Sequence, residues 1–224
     1  MFKKLAKWIY KISNYFLNFI FKEKCIRCKK DGEIICEECI YLFKLPHDNP
    51  NDHIFASFSY KDPSIKKVLK DLKYYGKKNL GYKIGIILYK RMIEEISEIK
   101  SLSGDKIILL PIPITKKRMR HRGYNQASLI AEGMCMICEE NIFEFKENIL
   151  IKKIDTIPQA KISDRKKRLV NLKDNFICND KEKIKGRTVI VVDDITTTGA
   201  TLNEAMRVLK KSGAKEVFSF VVAH

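Results

Sequence analysis

Segment 189–201 of this 224-residue chain reads VIVVDDITTTGAT, and few backbone paths suit it. Four β-branched aliphatic residues in a row favour a strand buried on both faces. Two carboxylates follow at once, then a hydroxyl-rich stretch with Gly199, then the apolar spacing of a helix through Leu202 and Ala205. Adjacent acids at a strand end can accept hydrogen bonds from a vicinal diol or support a hydrated divalent cation. Thr196, Thr197, Thr198 and Thr201 offer hydroxyls, while Gly199 permits a positive φ or a close backbone approach. The helix that begins near Ala200 presents unpaired N–H groups and a dipole that favour an anion. A strand ending in acids for solubility, or an ordinary hydroxyl helix cap, explains each piece singly but not all of them in this order. The segment predicts a phosphate cradle.

The rest of the chain supplies a setting for such a cradle. Apolar runs at 107–110, 149–151 and 217–222 read as further buried strands, and helical spacing recurs at 126–138 and 202–209. Between Pro63 and Ile96 the pattern turns helical twice, with Gly76 between. Strands alternating with helices indicate an α/β fold with a parallel sheet, whose ligands bind beyond the carboxyl ends of the strands. Segment 180–185, rich in Lys, reads as a solvated connection. At the N-terminus Phe2, Leu5, Ile9, Ile12, Phe16 and Phe19 fall on one helical stripe, with lysines opposite. Lys7, Lys11, Asn14 and Asn18 interrupt it too regularly for a membrane span, so 1–22 is expected to be a basic amphipathic helix that packs on its own protein or touches a membrane surface or partner.

Seven cysteines suit a reducing cytoplasm better than a disulfide framework. Cys25-x-x-Cys28 and Cys36-x-x-Cys39 flank the turn-prone run Lys29-Lys30-Asp31-Gly32. Four thiolates at that spacing fit a tetrahedral structural zinc, with sulfurs about 3.8 Å apart, better than a redox pair. Cys135 and Cys138 also form a C-x-x-C, but inside a helical pattern with Leu129, Ile130 and Met134, where buried thiols are the better reading.

At segment 189–201 the sequence resembles the phosphoribosyl-pyrophosphate (PRPP) motif of type I phosphoribosyltransferases. Further matches resemble the ComF (ComFC-like late-competence) family: Cys25, Cys28, Cys36 and Cys39; Pro111 and Pro113; Arg122, Gly123, Tyr124, Asn125 and Gln126; then Gln159, Arg168 and Asn171. The resemblance covers nearly the whole chain from Cys25, and with the periodicity of the N-terminus three parts are expected: helix 1–22, a zinc module at 23–45 and a phosphoribosyltransferase-like domain at 54–224. It implies that Asp193 and Asp194 hold two ribose hydroxyls and that Thr196, Thr197, Thr198, Gly199, Ala200 and Thr201 wrap the 5′-phosphate. The turn after the strand ending at Leu110 resembles the pyrophosphate loop, with Thr115 and Lys116 nearest for contact. Magnesium would bridge pyrophosphate and ribose oxygens as the leaving group departs.

The net charge of +17 has two readings, because most of the excess is Lys and compositional bias produces that without any anionic partner. The local clusters say more. Segments 116–122, KKRMRHR, and 161–168, KISDRKKR, concentrate Arg, which suits a ligand with about five negative charges. Arg118, Arg120, Arg122 and Arg168 are the leading candidates. The same clusters could follow a nucleic-acid backbone, with Tyr124 stacking on a base, or simply lie in solvent. The expected function is phosphoribosyl transfer from PRPP to an unidentified acceptor, tied through the resemblance to competence and DNA uptake. The alternative is a non-catalytic accessory protein of transformation that binds single-stranded DNA and competence-machinery proteins.

Overall fold

The computed structural model describes residues 24–74, 77–138, 141–153 and 175–224. Five strands form one sheet: β1 (Ile54–Phe58), β2 (Ile107–Pro111), β3 (Phe143–Phe145), β6 (Thr188–Ile195) and β7 (Glu216–Ala223). Their order is β1-β7-β6-β2-β3, and every neighbouring pair is parallel. The expected parallel α/β fold is therefore what the chain adopts. β6 lies at the centre, as its all-apolar start requires, with Val189, Ile190, Val191 and Val192 fully buried.

Strand alternation sorts the core into two layers. Ile107, Leu109, Ile190, Val192 and Phe220 face one side, covered by α2 (Pro63–Tyr74), α3 (Lys78–Arg91), α4 (Ile93–Ser103) and α6 (Gln126–Ile137). Ile108, Leu110, Val189, Val191 and Val217 face the other, covered by α7 (Ala200–Lys211) through Leu202, Ala205 and Leu209. Truncating one such fully buried aliphatic to Ala typically costs about 2–5 kcal/mol. α3 and α6 approach closely: a Cβ on Gly85 would lie 2.0 Å from the Ile130 carbonyl oxygen, and one on Gly133 2.2 Å from that of Tyr82.

Some expectations change. The run at 149–151 contributes to β4 (Leu150–Lys152), which pairs antiparallel with β5 (Phe176–Cys178) outside the main sheet. Leu150 is buried and Ile151 exposed, the alternation of a ribbon with one covered face. The stretch between Pro63 and Ile96 holds parts of three helices rather than two, because the backbone at Met92 leaves the α region and α4 starts afresh. KKRMRHR is a helix, α5 (Lys116–Arg122), closed by Gly123 in the left-handed conformation. Segment 1–22 lies outside the described residues, and among those described no helix is long and apolar enough to cross a membrane.

Candidate active site

The two acids lie at the carboxyl end of β6, and strand alternation sends them to opposite faces. Asp194 follows Ile190 and Val192 toward α2; Asp193 follows Val189 and Val191 toward β4. Charges are placed accordingly. Lys73 Nζ, from the last turn of α2, stands 2.9 Å from Asp194 Oδ2, while Lys152 of β4 and Lys73 both draw on the charge of Asp193. Asp193 Oδ1 accepts the backbone N–H of Asp194 at 2.8 Å. Burial, then the neighbouring Asp194 carboxylate, push the Asp193 carboxyl up to about 7. Burial pulls the Lys73 ammonium down, but Asp194 and then Asp193 outweigh it and leave it above the ordinary lysine range.

The turn after β6 is built largely from its own hydroxyls. Thr196 is buried; its N–H donates to the Ala223 carbonyl and its Oγ1 accepts from Gly199 N at 3.1 Å. Ala200 N donates to Thr198 Oγ1 at 3.4 Å, and Asn203 N to the Gly199 carbonyl as the helix begins. Gly199 has φ 71, and a Cβ there would meet Pro50, Ile54 and Asn203 atoms, each at 3.2 Å. The N-cap residue Gly199 has no side chain to cap α7, and the helix begins beside Thr197 and Thr198, which are exposed. This is a rigid turn with anion-binding polarity.

Across the crevice, β2 runs beside β6, and Ile112 N donates to the Val192 carbonyl at 2.8 Å. That bond sets the Pro-Ile-Pro-Ile-Thr turn next to the acid pair. Thr115 caps α5 by accepting from Arg118 N, and Lys116 is exposed at its start. Arg118 and Arg122 are half-buried, whereas Arg120 is exposed. The Arg122 guanidinium lies 5.9 Å over the Tyr74 ring, donates to Gln126 Oε1 at 3.0 Å and lies near enough to oppose the charge of Lys73. Tyr124 cannot stack on a base: it is buried and its hydroxyl donates to the Leu72 carbonyl. Arg168, the cluster at 161–168, Gln159 and Asn171 lie outside the described residues.

Sequence reasoning missed Lys73, because a lysine among several in an amphipathic helix carries no signal of its own. It also missed Asn51, whose side chain donates to Asn203 Oδ1 at 2.8 Å and ties the approach to β1 onto α7.

The four cysteines Cys25, Cys28, Cys36 and Cys39 bring their sulfurs within 4.8 Å of one another, close to the spacing a tetrahedral metal needs. Cys36 starts a short helix, α1 (Glu37–Ile40), which returns Cys39 to the cluster. Burial raises the Cys25 thiol, but backbone N–H groups, foremost that of Cys36, outweigh it and bring it to about 6; burial pushes Cys39 up to about 12. N–H groups aimed at sulfur, with no carboxylate among the donors, fit a thiolate-bound soft metal such as zinc. Cys135 is half-buried and Cys138 buried in and just after α6, as small apolar groups would be.

A parallel sheet whose central strand ends in an acid pair and turns through threonines into a helix is the architecture of a phosphoribosyltransferase domain, and the phosphoribosyl transferase domain family matches residues 148–224. Three relatives narrow the class. Competence protein F of Haemophilus influenzae is 32% identical over 111 residues, 49% of this chain and 46% of that protein. Competence protein ComFC of Bacillus subtilis is 32% identical over 116 residues, 51% of this chain and 43% of that protein. DNA utilization protein YhgH of Escherichia coli O157:H7 is 26% identical over 157 residues, 69% of this chain and 65% of that protein. Over these stretches the chain is similar to the ComF competence proteins, and its residues 148–224 match the phosphoribosyl transferase domain family. The matched stretch spans a little under half the length of the first two relatives.

Proposed function

We propose that this protein binds PRPP with magnesium and transfers its phosphoribosyl group to an acceptor, in a process linked to competence. One observation carries this: an acid pair at the end of β6, Asp194 buried and Asp193 half-buried, opens directly onto a hydrogen-bonded threonine-glycine turn and the start of α7. Asp193 and Asp194 accept from ribose hydroxyls; Thr196, Thr197, Thr198, Gly199, Ala200 and Thr201 surround the 5′-phosphate. Thr115, Lys116, Arg118 and Arg122 approach from the pyrophosphate side, and Arg168 is proposed to join them. Magnesium bound with the substrate would supply charge neutralisation for the departing pyrophosphate. No protein nucleophile is required, because holding the anomeric carbon in line with its attacker and stabilising charge as it develops supply the rate. Zinc held by Cys25, Cys28, Cys36 and Cys39 would fix the N-terminal unit.

Calorimetry with PRPP and magnesium tests this. Binding is expected for the parent and loss of at least about 100-fold in affinity for an Asp193→Asn, Asp194→Asn double variant, which loses two charge-assisted contacts. Equal affinity in the two proteins overturns the reading.

A second reading has its own support in α5. None of its residues is buried, Lys116, Lys117, Arg120 and His121 are exposed, and the helix carries no acid. Such a face suits the backbone of single-stranded DNA, which the name DNA utilization protein of one relative brings to mind. Affinity for an oligonucleotide is then expected to fall steeply with salt, and less steeply in an Arg120→Ala, Lys117→Ala variant. A flat salt response removes this reading without touching the first.

A further inference from the structure

Lys73 belongs to no motif of the chain, yet its ammonium reaches the strand end where the acid pair sits. Only 22% of its side chain and 8% of that of Asp194 is exposed. The other lysines of α2 behave differently: Lys66, Lys67 and Lys70 lie exposed on its outer face. Asp194 Oδ2 is buried and, among the described residues, accepts no well-directed hydrogen bond but lies in charge contact with Lys73. An ion pair this enclosed is a poor device for stability, since dehydrating both ions costs about what their attraction returns. It is a good device for keeping an empty anion site from holding uncompensated charge.

A second cation stands beside it. The Arg122 guanidinium lies over the ring of Tyr74, the residue after Lys73, and donates to Gln126, whose Nε2 is buried with no acceptor among the described residues. Lys73 from α2 and Arg122 from α5 thus converge on the side of the crevice where the Pro-Ile-Pro-Ile-Thr turn enters.

We propose that Lys73 is a substrate-binding residue: its ammonium, paired with Asp194 in the free protein, turns to a pyrophosphate oxygen of PRPP when a ribose hydroxyl takes its place on Asp194. This rests on the proposed PRPP reading. No covalent step is involved. The carboxylate exchanges a cation for a hydroxyl donor, the ammonium exchanges a carboxylate for a phosphate, and neither is left buried without a partner. The arrangement makes Lys73 selective for the pyrophosphate half of the ligand, while Asp194 and the threonine turn serve the half that ribose 5-phosphate shares.

Calorimetry with two ligands, PRPP with magnesium and ribose 5-phosphate, decides it on the full chain. Lys73→Met is expected to weaken PRPP by about 10–100-fold, as loss of one hydrogen bond to a charged group implies, and to change ribose 5-phosphate by less than about threefold. Lys73→Arg, which keeps the charge, is expected to recover most of the PRPP affinity. If Lys73→Met weakens both ligands equally, Lys73 only holds Asp194 and the inference falls; if it weakens neither, the inference falls as well. Should Lys73→Met fail to fold, Lys73→Gln, which removes the charge but keeps a polar end, takes its place: a loss confined to PRPP supports the inference, and an equal loss on both ligands or no loss on either overturns it. A parent protein that binds no PRPP overturns the functional reading itself and this inference with it, which separates that failure from the others.

Discussion

The phosphate turn and the four-cysteine unit hold their shapes by opposite means. In the turn, backbone and hydroxyl groups close the structure without a ligand: Gly199 N on Thr196 Oγ1, Thr196 N on the Ala223 carbonyl, and a strand on one side and a helix on the other. In the cysteine unit the convergence is of four side chains, around a loop with Lys29 and Gly32 both at positive φ and a helix of only four residues. Four thiols that close need a common partner, because nothing in sulfur itself draws them together and charging more than one is opposed by its neighbours. A turn closed by backbone keeps its shape with nothing bound; a cluster of four thiols would owe its shape to a metal.

The largest test of that contrast is metal removal. Chelation, or Cys36→Ser, is expected to unfold the cysteine unit and lower the melting temperature by about 10 °C or more, because metal-binding energy is folding energy and Cys25, Cys36 and Cys39 share a core with Phe58 and Ile65. Circular dichroism melting with and without a chelator reads it, and an unchanged melt would make the cluster a set of ordinary thiols, three buried and Cys28 exposed. Next comes Gly199→Ala, which places a side chain at φ 71 against three atoms at 3.2 Å; a loss of about 1–3 kcal/mol in denaturant unfolding is expected, with weaker PRPP binding.

The acid pair gives a smaller, signed effect. The folded carboxyl of Asp193 is raised above its unfolded value, so the folded state holds the extra proton. Its contribution to stability is full below about pH 4 and is lost as pH rises through about 7. Asp193→Asn is expected to flatten the fall in stability across that window, measured by denaturant midpoints at several pH values; a slope unchanged by the substitution would place the proton elsewhere. Smallest is Asn51→Ala, which cuts the exposed bond to Asn203: a cost of about 0.5–1.5 kcal/mol is expected. Should it also slow or weaken PRPP binding, the approach from the cysteine unit to β1 helps brace the phosphate turn.

What the sequence disclosed follows from how local each signal is. β6, its acids and its turn were legible because thirteen consecutive residues carry strand, loop and helix start together. The cysteine cluster was legible from spacing alone. β1 (IFASF) and β3 (FEF) were not, since short strands with a mixed pattern owe their state to neighbours: β1 is a strand because β7 pairs with it along Ile54 to Phe58. α5 read as a basic cluster because its charge drowned a helix pattern that no buried face supports. Lys73 was invisible, since its meaning lies in a residue 121 positions on, Asp194, reached only when α2 packs over the sheet.

Gly85 and Gly133 let α3 and α6 touch backbone to backbone. α6 starts at the segment that carries Arg122, Asn125 and Gln126, so where that helix rests fixes how wide the crevice opens at its far end. A methyl group at either glycine would wedge the two helices apart on the face away from α7. Affinity at the proposed site would then suffer from a change that no ligand ever meets, set by two missing carbons in the core rather than by the charges at its rim.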